Sequence, residues 1–296
     1  MRWMNPGSSR SWRRFRRNRG ALIGAALVLA VLLLALAAPL LSGHDPLAPD
    51  FDRGLSELGA PLAPSADHLL GTDTLGRDVW SRLAHGAWLS LQVGLLAVFI
   101  AATFGVLIGL VAGYVGGAVD NLLMRLVDMV LAFPFLLLAI LLAALLRESS
   151  LGDGTAKVYI TLGIVGWTTM ARVVRGKALS LRERTFIESA RCVGASTTRI
   201  LTRHLLPNVL GPIVVLVTIG MAQMILAESI LSYLGLGPPP PTPSWGRMLY
   251  EGQSYYRTAP WLIAAPGLAI LVTVIGFNLL GEGLRDALDP KDSSRG

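Results

Sequence analysis

Cysteine is almost missing from this chain. Cys192 is its one thiol, which excludes an intrachain disulfide and, with no histidine pair beside it, a thiolate metal centre. Charge is scarce too: Asp, Glu, Lys and Arg make up 15% of 296 residues, too few for an ordinary water-soluble domain of this size. A phosphate-cradling loop is also lacking. The nearest approach, Val173-Val174-Arg175-Gly176-Lys177-Ala178, has neither the first glycine nor the Ser or Thr that would hold magnesium. No dense cluster of His, Cys or carboxylates suggests an enzyme.

What the chain has instead is apolar surface, with 53% of its residues hydrophobic. Six blocks approach the ~20 residues needed to cross a bilayer's hydrocarbon. They run from Ala21 to Leu41, Trp88 to Gly113, Leu122 to Leu146, Val158 to Val174, Val209 to Leu231 and Trp261 to Leu280. The fourth is the weakest. Each block is continuously apolar instead of alternating as a barrel strand would, and hydrocarbon leaves backbone groups no water to bond, so helices are required. The expected fold class is an all-α membrane protein with six transmembrane helices.

The net charge of +7 is informative through its placement. With a cytoplasmic N-terminus, 19 of the 26 lysines and arginines fall on the inner side, while the segment from Ser42 to Gly86 holds seven acidic residues against three arginines. Both termini are therefore expected in the cytoplasm. The basic start with Arg13, Arg14, Arg16 and Arg17 also resembles a cleavable signal, but the apolar run is long for one, and its removal would leave five spans. Trp12 and Phe15 among these arginines fit an anchor on anionic lipid better than a nucleic-acid contact.

These spans divide the chain into an Arg-rich arm (1–20), a first span (21–41), an outer loop with short helices (42–87), a core of five spans (88–281) and a cytoplasmic tail (282–296). Leu75, Val79 and Leu83, following Thr72-Asp73-Thr74, predict an amphipathic surface helix leading into the second span. Gly105, Gly109 and Gly113 give that span a face without side chains, suited to close approach by another helix of this chain or of a partner. A second outer loop (235–259) is rich in proline and aromatics, including Trp245, and serves either as a passive anchor or as a gate. Ionisable groups within the spans are few: Asp128, within reach of Arg125, and Glu228, near the outer end of the fifth span. An ion-coupled carrier or membrane enzyme should hold more of them in the bilayer.

The longest inner loop, about thirty residues, lies between the fourth and fifth spans. Thr185 and Glu188 have the spacing of a capping box, predicting a helix that starts there. Phe186, Ile187, Ala190 and Val193 share an apolar side, and Gly194 suits the left-handed end of a helix. Ser196 can cap a second helix through Arg199 toward Leu206-Pro207, where the chain turns into the fifth span. Such a knob fits either a groove on a partner protein or the membrane surface.

Glu188-Ser189-Ala190, Gly194 and Leu206-Pro207 together resemble the signature loop of the permease subunits of binding-protein-dependent, ATP-driven importers. Ser189 replaces a usual alanine, and His204 stands where the general pattern has isoleucine. The segments Gly71 to Asp78, Gly235-Leu236-Gly237 to Trp245-Gly246, and Phe277-Asn278 through Asp289-Pro290 are similar to the second permease of the dipeptide, oligopeptide and nickel branch.

The resemblance implies a type I importer permease fold, a heterodimeric pore with a homologous permease, and a periplasmic or lipid-anchored binding protein. It also implies two cytoplasmic ATPase subunits that use ATP and Mg, with no cofactor in this chain. By the same resemblance Thr185, Phe186, Glu188, Ser189, Ala190, Gly194, Ala195, Arg199, Leu206 and Pro207 belong to the ATPase-coupling loop. Glu228, Trp245 and Asn278 are candidates for the pathway or an outer gate. Peptide is the expected solute, with nickel chelates and glutathione-like thiols sharing the same motifs.

Overall fold

A computed structural model describes residues 7–150 and 152–288. Asp289 and Pro290, with most of the expected tail, lie outside these residues. The described chain is helical, with two isolated β-bridges, Leu55 with Pro61 and Thr72 with Asp78, and no strand. Its helices are α1 (Gly7–Arg17), α2 (Arg19–Leu41), α3 (Val79–Val115), α4 (Gly117–Leu131), α5 (Phe135–Leu146), α6 (Gly154–Arg182), α7 (Thr185–Cys192), α8 (Thr197–Arg199), α9 (Leu206–Tyr233), α10 (Trp245–Gly252) and α11 (Trp261–Leu288).

Short polar side chains start several of these helices by accepting a hydrogen bond from an otherwise unpaired backbone N–H. Asn18 Oδ1 accepts from Ala21 N at 3.1 Å and Asp78 Oδ2 from Ser81 N at 2.7 Å. Asp153 Oδ1 accepts from Ala156 N at 2.6 Å, and Ser244 Oγ from Arg247 N at 3.2 Å. Inside the helices the continuous apolar sequence takes over.

Four helices are long and apolar enough to span on their own: α2, α3, the continuous stretch Thr197–Tyr233, and α11. A fifth span arises if α4 and α5, bent by 87° at their break, count as one. The bend falls at Pro134, which lacks an N–H and disfavours helix in the residue before it. The remaining expected block is α6, 29 residues long. It carries Lys157, Arg172, Arg175 and Lys177 and packs along α3.

Three expectations are corrected outside the spans. The segment from Leu41 to Val79 contains turns where short helices were expected. The amphipathic surface helix is absent: Asp78 starts α3 at Val79, and that helix runs unbroken for 37 residues through the second span. Val79 and Leu83 are buried in its first turns, and Leu75 sits in the preceding turn. The chain also makes no separate turn at Leu206-Pro207. A π-type stretch over Ile200–Leu205 carries α8 directly into α9, widening the helix just before a proline that has no N–H to give.

The three glycines of α3 face α6. A Cβ at Gly105 would lie 2.5 Å from the Met170 Cβ, one at Gly109 2.6 Å from the Ala171 carbonyl oxygen, and one at Gly113 2.6 Å from the Ala178 Cβ. The helix that approaches is therefore in the same chain. A second close contact joins α2 to α11, where a Cβ at Gly24 would sit 2.5 Å from Leu280 N.

Candidate functional site

The inner loop forms a compact knob built on α7. Its start differs from the expected capping box. Arg184 occupies the cap position without a side-chain hydrogen bond, and Thr185 is already the first helical residue. Only Glu183 and Arg184 separate α6 from α7. The end of α7 follows the sequence reading. Gly194 has φ +79° with open space around an added Cβ, so conformation, not crowding, calls for glycine. Ala195 N donates to the Ala190 carbonyl at 3.0 Å and Gly194 N to the Arg191 carbonyl at 2.9 Å, the paired bonds of a Schellman end. Ser196 Oγ then accepts from Arg199 N at 3.4 Å and starts α8.

The expected apolar side of α7 is split between two directions. Ile187 is fully buried and packs with Ile200, Leu205 and Val209 against Leu110, Tyr114, Met170, Val174 and Ala178. Ala190 and Ala195 flank this small core, half-buried. Phe186 and Val193 point the other way, 40% and 86% exposed, beside exposed Glu188, Ser189 and Arg199. Leu206 is half-buried at the edge of the core, and Pro207 is exposed. The knob is thus clamped on one side to the ends of α3, α6 and α9 and bare on the other.

Polar contacts that sequence reasoning missed tighten the clamp. Arg191 Nε donates to the Tyr114 hydroxyl at 3.3 Å, and its guanidinium lies 4.9 Å from the ring centroid. Arg182 Nη1 donates to the Tyr114 carbonyl at 3.2 Å. Arg175 makes a two-pronged contact to Asp120, 2.5 and 2.6 Å, joining α6 to α4. Asp128 pairs with Arg172 of α6 at 2.5 Å, not with Arg125. Sequence distance hides all of these, because each joins different helices.

Between the α4–α5 bend, α6 and α9 runs a groove of about 670 Å³. Phe133, Pro134, Val165, Met224 and Ile230 make it largely apolar, and Thr168, Thr169 and Gln223 supply its few hydrogen-bonding groups. Glu228, Trp245 and Asn278 do not line it. Glu228 is fully buried behind it, accepting from Ser232 Oγ at 2.6 Å, Ser90 Oγ at 3.2 Å and Ser229 Oγ at 3.4 Å. Trp245 is fully buried and donates Nε1–H to the Leu83 carbonyl at 3.0 Å. Asn278 is half-buried on α11.

The opposite end of the molecule is held by a buried ionic network. Asp73 accepts from Leu75 N and Arg77 N at 2.8 and 3.0 Å, shaping a tight turn. Its carboxylate also binds Arg77 Nε at 2.8 Å and Arg82 Nη1. Both arginines continue to Glu251 of α10, at 3.0 and 2.9 Å. Gly76, φ +74°, closes the turn where a Cβ would meet the Asp50 carbonyl at 2.0 Å. The motif Gly71 to Asp78 is therefore a scaffold that fixes α10 against the start of α3.

A helical membrane chain with a knob clamped to three helix ends and a polar-dotted groove between spans is built as a transport permease. The chain belongs to the family described as "Binding-protein-dependent transport system inner membrane component", which matches residues 105–293, and residues 8–61 match the N-terminal TM domain of oligopeptide transport permease C. It is a multi-pass subunit of an importer. Among its relatives, the dipeptide transport system permease protein DppC of Alkalihalophilus pseudofirmus is 41% identical over 96% of this chain and 90% of its own. The glutathione transport system permease protein GsiD of Escherichia coli O157:H7 is 46% identical over 95% and 89%. A chain of the MetNI methionine ABC transporter in an inward-facing conformation matches 71% of this chain and 97% of its own, with a TM-score of 0.58 and 19% identity. That likeness shows the fold, the type I importer permease.

Proposed function

We propose that this permease moves small peptides or peptide-like solutes inward, driven by ATP hydrolysis in partner subunits that grip the α7 knob. One observation carries the reading: Ile187 and Ile200 lock the knob to α3, α6 and α9, while Phe186, Glu188 and Val193 stay bare. A push on the bare side is delivered to the helices that wall the groove, because a packed core transmits displacement. Two cytoplasmic ATPases, binding ATP with Mg, supply that push. A homologous permease completes the pore and an external binding protein delivers the solute. Two of the relatives are named for a dipeptide and for glutathione, and a groove with scattered polar groups can hold backbone amides without a charge-specific site.

In this arrangement the termini and the knob are cytoplasmic and the 42–78 segment faces outward. Native Cys192 is exposed on the knob, so an impermeant thiol reagent should reach it only from the cytoplasmic face. In a Cys192→Ser background, Ser254→Cys should react only from outside. Ser244 is unsuitable because it is buried. Labelling of both from one face would overturn the orientation.

Glu188→Lys tests the coupling. Reversing an exposed charge on the bare side should leave the protein folded in the membrane yet cut ATP-dependent uptake by about tenfold or more, the effect of losing roughly 1.4 kcal/mol at an interface. Uptake at the normal rate with a normal protein level refutes the role.

A further inference from the structure

We propose that the segment joining α2 to α3 carries a site for one divalent transition-metal ion of the zinc class, held by His44, His68 and Asp78. One ligand atom from each of the three lies within 4.8 Å of the other two. His68 and Asp78 are buried, with Nδ1 and Oδ1 3.0 Å apart, a little inside the ~3.4 Å edge that two neighbouring ligands span around a tetrahedral ion bound at about 2.1 Å, so a small separation of the two admits the ion. His44 is exposed, its ring tilted 35° against that of His68 with centroids 4.6 Å apart, so a small rotation can turn a nitrogen inward. Ligation leaves α3 capped, because the cap uses the other carboxylate oxygen: Asp78 Oδ2 accepts from Ser81 N at 2.7 Å.

The donor set selects the ion. Two imidazoles and one carboxylate suit Zn²⁺, Ni²⁺ or Cu²⁺, whereas Mg²⁺ and Ca²⁺ prefer sites made wholly of oxygen. The adjoining cavity, about 210 Å³, also exposes Asp45, Asp50 and Arg77. Asp45 and Asp50 each use one oxygen in a local turn, accepting from Leu47 N and Arg53 N, and add negative charge near the ion. Arg77 is already engaged by Asp73 and Glu251. The cavity leaves room for water in the remaining positions. Binding gives up the hydrogen bond between His68 Nδ1 and Asp78: the neutral imidazole carries its one proton on Nε2, and Nδ1 and the carboxylate each donate a lone pair to the ion, with no change of oxidation state. The ion would fasten the chain just past α2 to the cap residue of α3. This inference rests on the geometry of these three side chains and holds whatever solute is carried.

The test uses full-length protein purified without a histidine tag, stripped with chelator and titrated with ZnCl₂ by calorimetry, with thermal unfolding in parallel. Saturable binding of about one Zn²⁺ per chain is expected, with a zinc-dependent rise in the unfolding midpoint and no response to MgCl₂. His44→Ala should fold normally, since that ring is exposed and lies tilted against His68, and should weaken zinc binding by at least about tenfold. His204→Ala, on the knob side, should leave binding unchanged. Absence of saturable binding, binding that survives His44→Ala, or binding lost with His204→Ala would each overturn the site and leave His68–Asp78 as a hydrogen bond bracing the cap.

Discussion

The two ends of this permease are held by opposite means. At the end opposite the knob, the Asp73 turn and α10 are locked by a network in which Arg82 and Arg77 are almost wholly buried and pair with Asp73 and Glu251. At the knob, an apolar plug of Ile187, Ile200 and Leu205 does the holding, and the charged residues Glu188 and Arg199 face outward. Buried ion pairs tolerate little displacement, because separating them strands a charge in a low dielectric. The plug is held mostly by non-directional apolar contacts, with the Arg191–Tyr114 hydrogen bond at its edge. The two ends thus differ in how much displacement their contacts tolerate.

The largest effect should follow from breaking the rigid end. Asp73→Ala removes the acceptor shared by Arg77 and Arg82 and the oxygen that shapes their turn. Leaving buried guanidinium groups short of a partner should cost about 3–5 kcal/mol, seen as a lower thermal midpoint in detergent and poor accumulation in the membrane. Asp73→Asn, which keeps the shape and the turn acceptor, should lose less. If both variants match the parent protein, the network is not what holds this end.

A smaller effect is expected midway, where α3 meets α6. Gly109→Val places a branched side chain against the Ala171 carbonyl and Val174, and forcing the helices apart should cost about 1–3 kcal/mol. Gly176→Val makes the control, since a Cβ there meets nothing within 4 Å. Because α6 carries the Tyr114–Arg182 and Asp120–Arg175 contacts to the knob side, the Gly109 variant should also blunt coupling where Gly176→Val does not.

These outcomes bear on how far the sequence could be read. The helices are legible because each long apolar block has one solution in lipid, and the α7 turn is legible because Gly194 and Ser196 act through bonds to near neighbours. Three expectations gave way to other contacts. Thr185 and Glu188 carry capping-box spacing, yet Arg184 takes the cap position and Thr185 the first turn. Leu75, Val79 and Leu83 have the right period for a surface helix, but the local cap by Asp78 starts α3 at Val79. Asp128 pairs across to Arg172, not along its own helix to Arg125, a tertiary contact that outweighs a local preference worth about 1 kcal/mol or less. The Asp73 network could not be found by spacing, since Asp73 and Glu251 are far apart in the chain.

The smallest effect on stability should come from the bare side of the knob, and it sharpens the contrast most. Val193 is 86% exposed and touches none of the plug, so Val193→Asp should change the unfolding free energy of the isolated chain by no more than about 0.5 kcal/mol. If this face seats in a groove of an ATPase, the same substitution buries an unpaired carboxylate in the complex and should reduce ATPase copurification several-fold or more. If the face instead rests on lipid, copurification stays intact and the variant alters only membrane association of the knob. Ile187→Ala makes the counterpart: it empties the plug at a cost of about 2–5 kcal/mol while leaving the bare surface chemically unchanged. A pair of variants that separates partner binding from folding in this way would show the holding side and the gripping side of α7 to be distinct, whereas equal loss of both properties in both variants would merge them.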